Sequence, residues 1–169
     1  MSDLQIPSTW NRVEVGAGRF TPGVYRTGDV VTPAIHRAAG LSVEMSGLMP
    51  SRNHNGDLTE AIERMPRCLS AERPVIGVFA ADPFLRIDQV ADRLAEKGYR
   101  DLANLPGVTQ YGADFKSILE SLDVGPSREL RALREFAGRG FAVSVSVSGP
   151  EDLPPAVNLG ARHLFVVPS

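Results

Sequence analysis

Apolar and polar residues follow two different periods along most of this chain. From residue 21 onward, short apolar runs bounded by Gly or Pro predict strands, and apolar residues spaced by three and four predict amphipathic helices. The predicted strands cover residues 23–26, 41–45, 74–80, 101–104, 141–147 and 163–167. The predicted helices cover about 32–39, 58–70, 85–97, 127–139 and 150–159, with a further helical turn at about 114–122. This alternation predicts an α/β fold whose parallel strands are joined by right-handed crossovers.

The ends of the predicted helices carry consistent signals. Apolar residues at positions 87, 90, 91 and 94 fall on one face of a helix, and Gly98 stands where a left-handed C-terminal cap belongs. Gly140 and Gly160 stand in the same place relative to the strands that follow them. We therefore expect tight helix-to-strand turns at all three glycines.

The first 20 residues are different in character. They have no clear period and mix Pro, Gly and Trp, which predicts an irregular arm with a short strand at about 12–15. The rest, residues 21–169, is predicted to form one β/α domain.

The charge, the single cysteine and the lengths of the apolar stretches indicate which binding partners and which cellular compartment to expect. Eighteen Lys and Arg against 20 Asp and Glu give a net charge of -2, and no basic run suited to a phosphodiester backbone is present. The single Cys68 cannot form an internal disulfide, and no apolar stretch approaches the roughly 20 residues that a membrane span needs. No charged-then-apolar leader is visible either. We expect a cytoplasmic protein with neither nucleic acid nor membrane as a partner.

Two polar residues stand where predicted neighbouring strands end. Asp82 follows the strand 74–80, and Asn104 closes the strand 101–104. The carboxyl ends of parallel strands carry the chemistry of β/α proteins, so both are candidate site residues. Each also has a structural interpretation, because Asp82 beside Pro83 is suited to cap the next helix and Asn104 is suited to hold its own loop.

Two strands have one apolar and one polar face. The segments 41–46 and 141–148 alternate strictly, and their polar faces include Glu44, Ser46 and Ser146. In a barrel these side chains would face a wet or ligand-filled lumen; on an incompletely covered sheet they would face solvent. In a lumen, Glu44 would need a partner or a raised pKa, which suits a general acid. Arg26 is placed either to neutralise Glu44 or to bind a carboxylate or phosphate.

The sequence shows no metal-binding pattern. His36, His54 and His163 lie in three different elements without ligand spacing, so we predict no metal and no other cofactor. Magnesium held by Glu44 and Asp82 is the less favoured alternative. In the loop after the second strand, Asp57 is predicted to cap the helix that begins at Leu58.

Short motifs recur at the predicted strand ends and in the helices between them. They are Thr27-Gly28, Ser46-Gly47, Gly56-Asp57, Asp82-Pro83-Phe84, Asn104-Leu105-Pro106, Phe115, Glu120, Gly125, Glu129 and Asn158-Leu159-Gly160-Ala161. In this order, between about residues 21 and 167, they resemble the phosphoenolpyruvate hydrolase-like TIM-barrel family, also called the TIM-barrel signal-transduction domain. Departures from its pattern include Glu44-Met45-Ser46-Gly47 for Tyr-Asn-Ser-Gly and Ala81 for a Thr.

The resemblance implies an incomplete TIM-barrel-like domain with about six β/α units, truncated after the sixth strand. It also implies an enzyme of lyase or hydrolase type that acts on a small carboxylated or carbonyl-bearing metabolite. The expected site residues are Glu44 and Asp82 as general acid and base, with Arg26, Thr27, Ser46, Asn104 and Ser146 binding substrate. The alternatives are a degenerate relative that binds a metabolite or partner without turnover and a structural subunit that completes another barrel.

An open sheet has two unpaired edges. Exposed edges invite pairing, so we expect self-association into a homo-oligomer. The alternatives are that the arm covers one edge or that a partner chain supplies the missing strands.

Overall fold

The strands of this protein form one parallel sheet in chain order. The computed structural model describes residues 15–17, 30–32, 53–69, 73–148, 152–161 and 163–166. Its strands are β1 (Val15–Ala17), β2 (Val30–Thr32), β3 (Val75–Val78), β4 (Asp101–Asn104), β5 (Ala142–Val147) and β6 (His163–Val166). Each pairs in parallel with the next, in the order β1-β2-β3-β4-β5-β6. The mixed α/β class and the parallel sheet are therefore confirmed.

Helices connect the strands from β2 onward. They are α1 (His54–Arg64), α2 (Ile87–Glu96), a 3₁₀ turn (Val108–Gln110), α3 (Ala113–Ser121), α4 (Pro126–Gly138) and α5 (Leu153–Asn158). The segment that links β1 to β2 lies outside the described residues. The described elements are consistent with part of a barrel, and they comprise fewer helical crossovers than the predicted six units require.

The sheet is buried on both faces where it is described in full. All four residues of β3 are buried, as expected of a parallel strand covered on both sides. In β5, Ser144 and Ser146 are as buried as the valines between them, at 2% and 0% exposure. The solvent-facing alternative for this polar face is therefore wrong, because other side chains and backbone cover it.

The helix patterning is confirmed, with corrections at two helix starts. In α2, Val90, Ala91 and Leu94 are buried, as the predicted apolar face requires. The predicted Asp57 cap is wrong, because α1 begins at His54 and the Asn53 side chain accepts a hydrogen bond from the Gly56 N–H at 2.8 Å. Asp57 lies in the first turn instead.

The second correction concerns the helix after β3. The helix α2 begins at Ile87, and no side chain caps it. Asp82 is therefore not its cap.

The largest errors in the predicted elements lie early in the chain. The strand β2 was not predicted, and Thr32, predicted to begin a helix, ends this strand. The strand β1 overlaps the predicted strand 12–15 only at Val15, and it pairs with β2 from within the stretch assigned to the arm. The predicted strands 23–26 and 41–45 lie outside the described residues.

Three predicted glycine caps are confirmed. Gly98, Gly140 and Gly160 have φ values of 87°, 84° and 73°, in the left-handed region that glycine adopts without steric cost. Among the described helices, none is both long enough and apolar enough to cross a membrane.

Candidate functional site

The carboxyl ends of β3, β4 and β5 lie at one edge of the sheet. The pairing registers set Val78 beside Asn104 and Ala103 beside Ser144, so the loops that leave these strands are neighbours. Three of the predicted site residues, Asp82, Asn104 and Ser146, lie at this edge. The other four, Glu44, Arg26, Thr27 and Ser46, lie outside the described residues.

Asp82 is held in a fixed orientation after β3. One carboxylate oxygen, Oδ1, accepts a hydrogen bond from the Phe84 N–H at 2.8 Å, which makes the Asp-Pro-Phe segment an Asx-type turn. The other oxygen, Oδ2, accepts from Nδ2 of Asn55 at 2.9 Å. The Asp82 side chain is half-buried, so a molecule at this edge can still reach it.

Asn55 in the first turn of α1 supports Asp82. Its Nδ2 also donates to the Phe79 carbonyl at 2.9 Å, so the two hydrogen bonds fix the amide group. The residue is only 6% exposed, and its Oδ1 finds no hydrogen-bond partner in the part of the chain described here. Sequence reasoning missed Asn55, because nothing local to α1 indicates that it reaches across to β3.

Asp82 lines a cleft of about 230 Å³ between the loop after β3 and the helix α4. Leu85 and Ile87 give this cleft an apolar wall, and Arg128 and Arg131 of α4 contribute two guanidinium groups. A water molecule occupies roughly 30 Å³ in the liquid, so the cleft has room for a small metabolite. It therefore combines two carboxylates, those of Asp82 and Glu135, with two cations in a partly apolar setting.

The two arginines are bridged by a carboxylate from the preceding turn. Oδ2 of Asp123 lies 3.1 Å from Nη1 of Arg128, and its Oδ1 accepts a hydrogen bond from Arg131. The hydrogen bond from Arg131, more than any other contact, lowers the pKa of the Asp123 carboxyl below its ordinary value. Neither arginine was predicted as a site residue.

Asn104 and Ser146 belong to a separate, fully buried network. Oδ1 of Asn104 accepts from the Ser146 N–H at 2.8 Å, and the Ser146 hydroxyl donates to the Asn104 carbonyl at 2.9 Å. Nδ2 of Asn104 donates to Oε2 of Glu129 at 2.9 Å. Their polar atoms are thus used in joining β4, β5 and α4, and the hydrogen bonds of Asp82 do not extend to them.

Glu129 lies at the centre of this network. It is 1% exposed, and its Oε1 accepts from the Val108 N–H at 2.9 Å while Oε2 accepts from Asn104. Burial raises the pKa of the Glu129 carboxyl to about 8, assisted by the nearby Asp152 and opposed by the two hydrogen bonds. A sequence signal existed, because Glu129 shares the apolar face of α4 with Ala132, Leu133 and Phe136.

The loop after β4 packs closely against the end of β5. A side chain at Gly107 would place its Cβ 2.3 Å from the Ser146 hydroxyl oxygen, so only glycine fits. The Thr109 hydroxyl donates to the Ser146 carbonyl at 3.2 Å, and the Ser148 hydroxyl donates to the Thr109 carbonyl. Nε2 of Gln110 is buried without a hydrogen-bond partner among the described residues.

A half-buried ion pair continues the network beyond β5. Oδ2 of Asp152 accepts from the Ser148 N–H at 2.9 Å, and its Oδ1 lies 3.8 Å from Nζ of Lys116. The side chains of Lys116 and Asp152 are 15% and 11% exposed. The charge of Asp152 also acts on Glu129, where it contributes to the raised pKa of that carboxyl.

Two other motif residues have a structural explanation. The Glu120 carboxylate accepts a hydrogen bond from the Ser127 N–H at 3.1 Å and so helps to cap α4. A side chain at Gly125 would lie 2.3 Å from that carboxylate, which explains the glycine. Within the described ranges, no three His, Cys, Asp or Glu side chains are grouped so as to hold a metal ion.

Comparison with known proteins agrees with the motifs at the strand ends. The model of a family described as phosphoenolpyruvate hydrolase-like matches residues 29–164, from β2 into β6. The uncharacterized protein y4oT of Sinorhizobium fredii (strain NBRC 101917 / NGR234) is 26% identical over 133 residues, which are 79% of this chain and 67% of that protein.

Two tomato proteins are also similar to part of the chain. The ToMV resistance protein Tm-1(GCR237) and the ToMV susceptible protein tm-1(GCR26), both of Solanum lycopersicum, are each 23% identical over 117 residues. The match covers 69% of this chain and 16% of each tomato protein. It therefore relates this chain to one part of much longer proteins.

Proposed function

Because this chain belongs to the phosphoenolpyruvate hydrolase-like family, we propose that it forms a TIM-barrel-like domain of about six β/α units that acts on a small metabolite. The substrate class is a carboxylated or carbonyl-bearing molecule, and the reaction is of lyase or hydrolase type with general acid–base chemistry. The site lies at the carboxyl ends of the strands, where loops can vary without disturbing the packed layers.

The cleft beside β3 is the observation that carries this proposal. Asp82, fixed by Asn55 and the Phe84 N–H, lines the same 230 Å³ space as Arg128 and Arg131. Guanidinium groups bind planar carboxylates in bidentate geometry, and a carboxylate on the opposite wall is suited to take or give a proton. In this proposal the arginines hold the substrate carboxylate and Asp82 is the general acid or base.

The proposal also assigns roles to the other site residues that were predicted from the sequence. Glu44 is a second acid–base candidate, and Arg26, Thr27 and Ser46 are candidate substrate contacts. Asn104 and Ser146 act as positioning residues, because their hydrogen bonds hold the loop after β4 in place.

Binding without turnover is the second candidate. It is favoured by the fact that the polar atoms of Asn104 and Ser146, two predicted substrate contacts, are used in hydrogen bonds within the protein. In that case the domain binds a metabolite or takes part in assembly.

The cellular setting is also part of the proposal. We propose a cytoplasmic homo-oligomer associated through its sheet edges, with no nucleic acid or membrane partner. The near-neutral charge of -2 supports this, as does the order of the described strands, which places β1 at one side of the sheet and β6 at the other. Sedimentation equilibrium tests the association, and a monomer at micromolar concentration would contradict it.

Calorimetric titration with oxalate, pyruvate and phosphoenolpyruvate, followed by product analysis, tests the main proposal. Replacing both Arg128 and Arg131 by Gln should weaken oxalate binding by at least about tenfold, since each tenfold corresponds to ~1.4 kcal/mol and two charged contacts are lost. Asp82→Asn should retain binding and abolish turnover, which separates chemistry from affinity.

Arg64→Gln is the matched control for these variants. It removes a guanidinium from an exposed ion pair with Glu60 on α1, outside the cleft. Failure of every probe to bind the folded wild-type protein would contradict the proposal. Binding without conversion of any 2-oxo acid or phosphoenolpyruvate would favour the second candidate.

A further inference from the structure

Asp123 occupies a left-handed position at the end of a helix, where a negative charge is unfavourable. It follows α3 with φ of 56°, its N–H donates to the Glu120 carbonyl at 3.1 Å, and the Val124 N–H donates to the Leu119 carbonyl at 3.0 Å. Such a left-handed position after a helix is usually taken by Gly, with Asn next. A negative charge there also faces the negative end of the helix dipole.

The contacts of Asp123 account for its presence. Both of its carboxylate oxygens are paired, one with Arg128 and one with Arg131 of α4. The pairing is nevertheless open to water, because the side chains of Asp123 and Arg131 are 65% and 54% exposed. Exposed ion pairs contribute little to stability, so an external anion can compete for these guanidinium groups.

Both arginines line the cleft to which the proposed function assigns the substrate carboxylate, whereas Asp123 approaches them from outside its lining. We propose that Asp123 is an internal competitor that occupies the Arg128 and Arg131 pair in the free protein and is displaced by the carboxylate of the ligand. This inference rests on the proposed function of the cleft. It makes Asp123 a residue that sets affinity, and the site selects ligands whose carboxylate engages both guanidinium groups.

Substitution of Asp123 tests the competition directly. Asp123→Asn and Asp123→Gly both tolerate a positive φ and both remove a charge from the helix end, so each variant should fold. Oxalate affinity measured by calorimetry should rise by about three- to tenfold in both variants, because the ligand no longer displaces a bound carboxylate.

Glu135→Gln is the matched control. Glu135 lines the same cleft and carries the same charge, but it pairs with Arg139 rather than with the two arginines. A general reduction of negative charge would raise oxalate affinity equally in Glu135→Gln and in the Asp123 variants. The proposal predicts a clearly larger gain for the Asp123 variants. Titration with inorganic phosphate in parallel shows whether the gain is limited to carboxylates or shared by anions in general.

The outcomes separate this inference from the proposed function. Wild-type protein that binds oxalate, with Asp123 variants that bind equally well, more weakly, or no better than Glu135→Gln, would overturn the role of Asp123 alone. Asp123 variants that bind oxalate where the wild type does not would show that Asp123 blocks the two arginines without being displaced, and would also overturn the inference. Absence of binding in every folded protein would overturn the proposed function of the cleft and this inference with it.

Discussion

At the scale of single residues, Glu129 and Asn104 show how a buried polar group specifies its neighbours. Both oxygens of Glu129 accept hydrogen bonds, from Asn104 and from the Val108 N–H. Asn104 in turn must present Oδ1 to the Ser146 N–H, which fixes its amide as a donor toward Glu129. The identities of the two residues are thus linked through the direction of one hydrogen bond.

Because the two residues are linked in this way, a substitution at Asn104 should restore part of the stability that is lost by a substitution at Glu129. Glu129→Gln alone should lower the free energy of unfolding by about 1–3 kcal/mol, because its amide would face another buried N–H donor. Adding Asn104→Asp reverses the direction of the hydrogen bond between the two side chains, because the new carboxylate accepts from both the introduced amide and the Ser146 N–H. The double variant should therefore recover at least about half of the lost unfolding free energy. Urea unfolding of the single and double variants measures the coupling. Additive losses in the double variant would show that the network does not depend on this bond.

The raised pKa of Glu129 predicts a pH dependence of stability. The folded protein holds this proton with a pKa of about 8, against an ordinary value of 4.5, so the folded state binds more protons between these values. The stabilisation from protonated Glu129 is therefore complete below pH 4.5 and is lost as the pH rises through 8.

Thermal unfolding across this range measures the effect. After subtraction of the curve for Glu129→Gln, which removes the titrating carboxyl and adds none, wild-type stability should fall between pH 5 and 8. A rise over the same interval would mean that Glu129 is ionised in the folded protein.

Sequence reasoning identified Asn104 and Ser146 as site residues but did not predict the internal hydrogen bonds that they make. Asn104 was chosen because it ends a strand and Ser146 because it lies on the polar face of the alternating segment 141–148, and both lie at the carboxyl edge of the sheet. Their use in internal hydrogen bonds depends on Glu129, which is 25 residues from Asn104 in the chain. A pattern read along one segment cannot reveal such a partner, although an acidic residue on the apolar face of α4 indicates that one is needed.

At the scale of elements, glycines predicted the C-terminal ends of helices correctly, whereas polar residues predicted the N-terminal caps wrongly. The glycine signal is a backbone requirement, so it acts locally and Gly98, Gly140 and Gly160 were identified correctly. Polar caps depend on which of several nearby side chains reaches the first turn. Asn53 does so in α1 although Asp57 stands four residues later, and the Asp82 turn ends before α2 begins.

Two of these glycines should respond differently to substitution. Gly140→Ala should cost about 1 kcal/mol of unfolding free energy, since its φ of 84° is unfavourable for alanine but no atom lies within 4 Å of the new Cβ. Gly98→Ala should cost clearly more, because its Cβ would lie 2.5 Å from the Cys68 carbonyl oxygen. Urea unfolding compares the two variants. Equal losses would show that the contact with Cys68 relaxes freely.

At the scale of the whole molecule, the sequence predicted the α/β class because the alternation of strands and helices is strong from residue 53 onward. The elements from β3 to β6 lie close to their predicted places, whereas α1, predicted at about 58–70, spans His54–Arg64. The early strands were predicted poorly, since β1 and β2 have three residues each and too few positions to establish a period. The cleft between the loop after β3 and α4 was not predicted, because it joins segments that are far apart in the chain.

The central claim is that this cleft binds a carboxylated ligand between Asp82 and the two arginines. A crystal structure of the protein grown with oxalate tests it most directly. The account predicts oxalate in contact with Arg128 and Arg131, with Asp123 turned away from them and Asp82 within hydrogen-bond reach of the ligand. An empty cleft in which Asp123 still bridges both arginines, while oxalate is bound elsewhere or not at all, would contradict it.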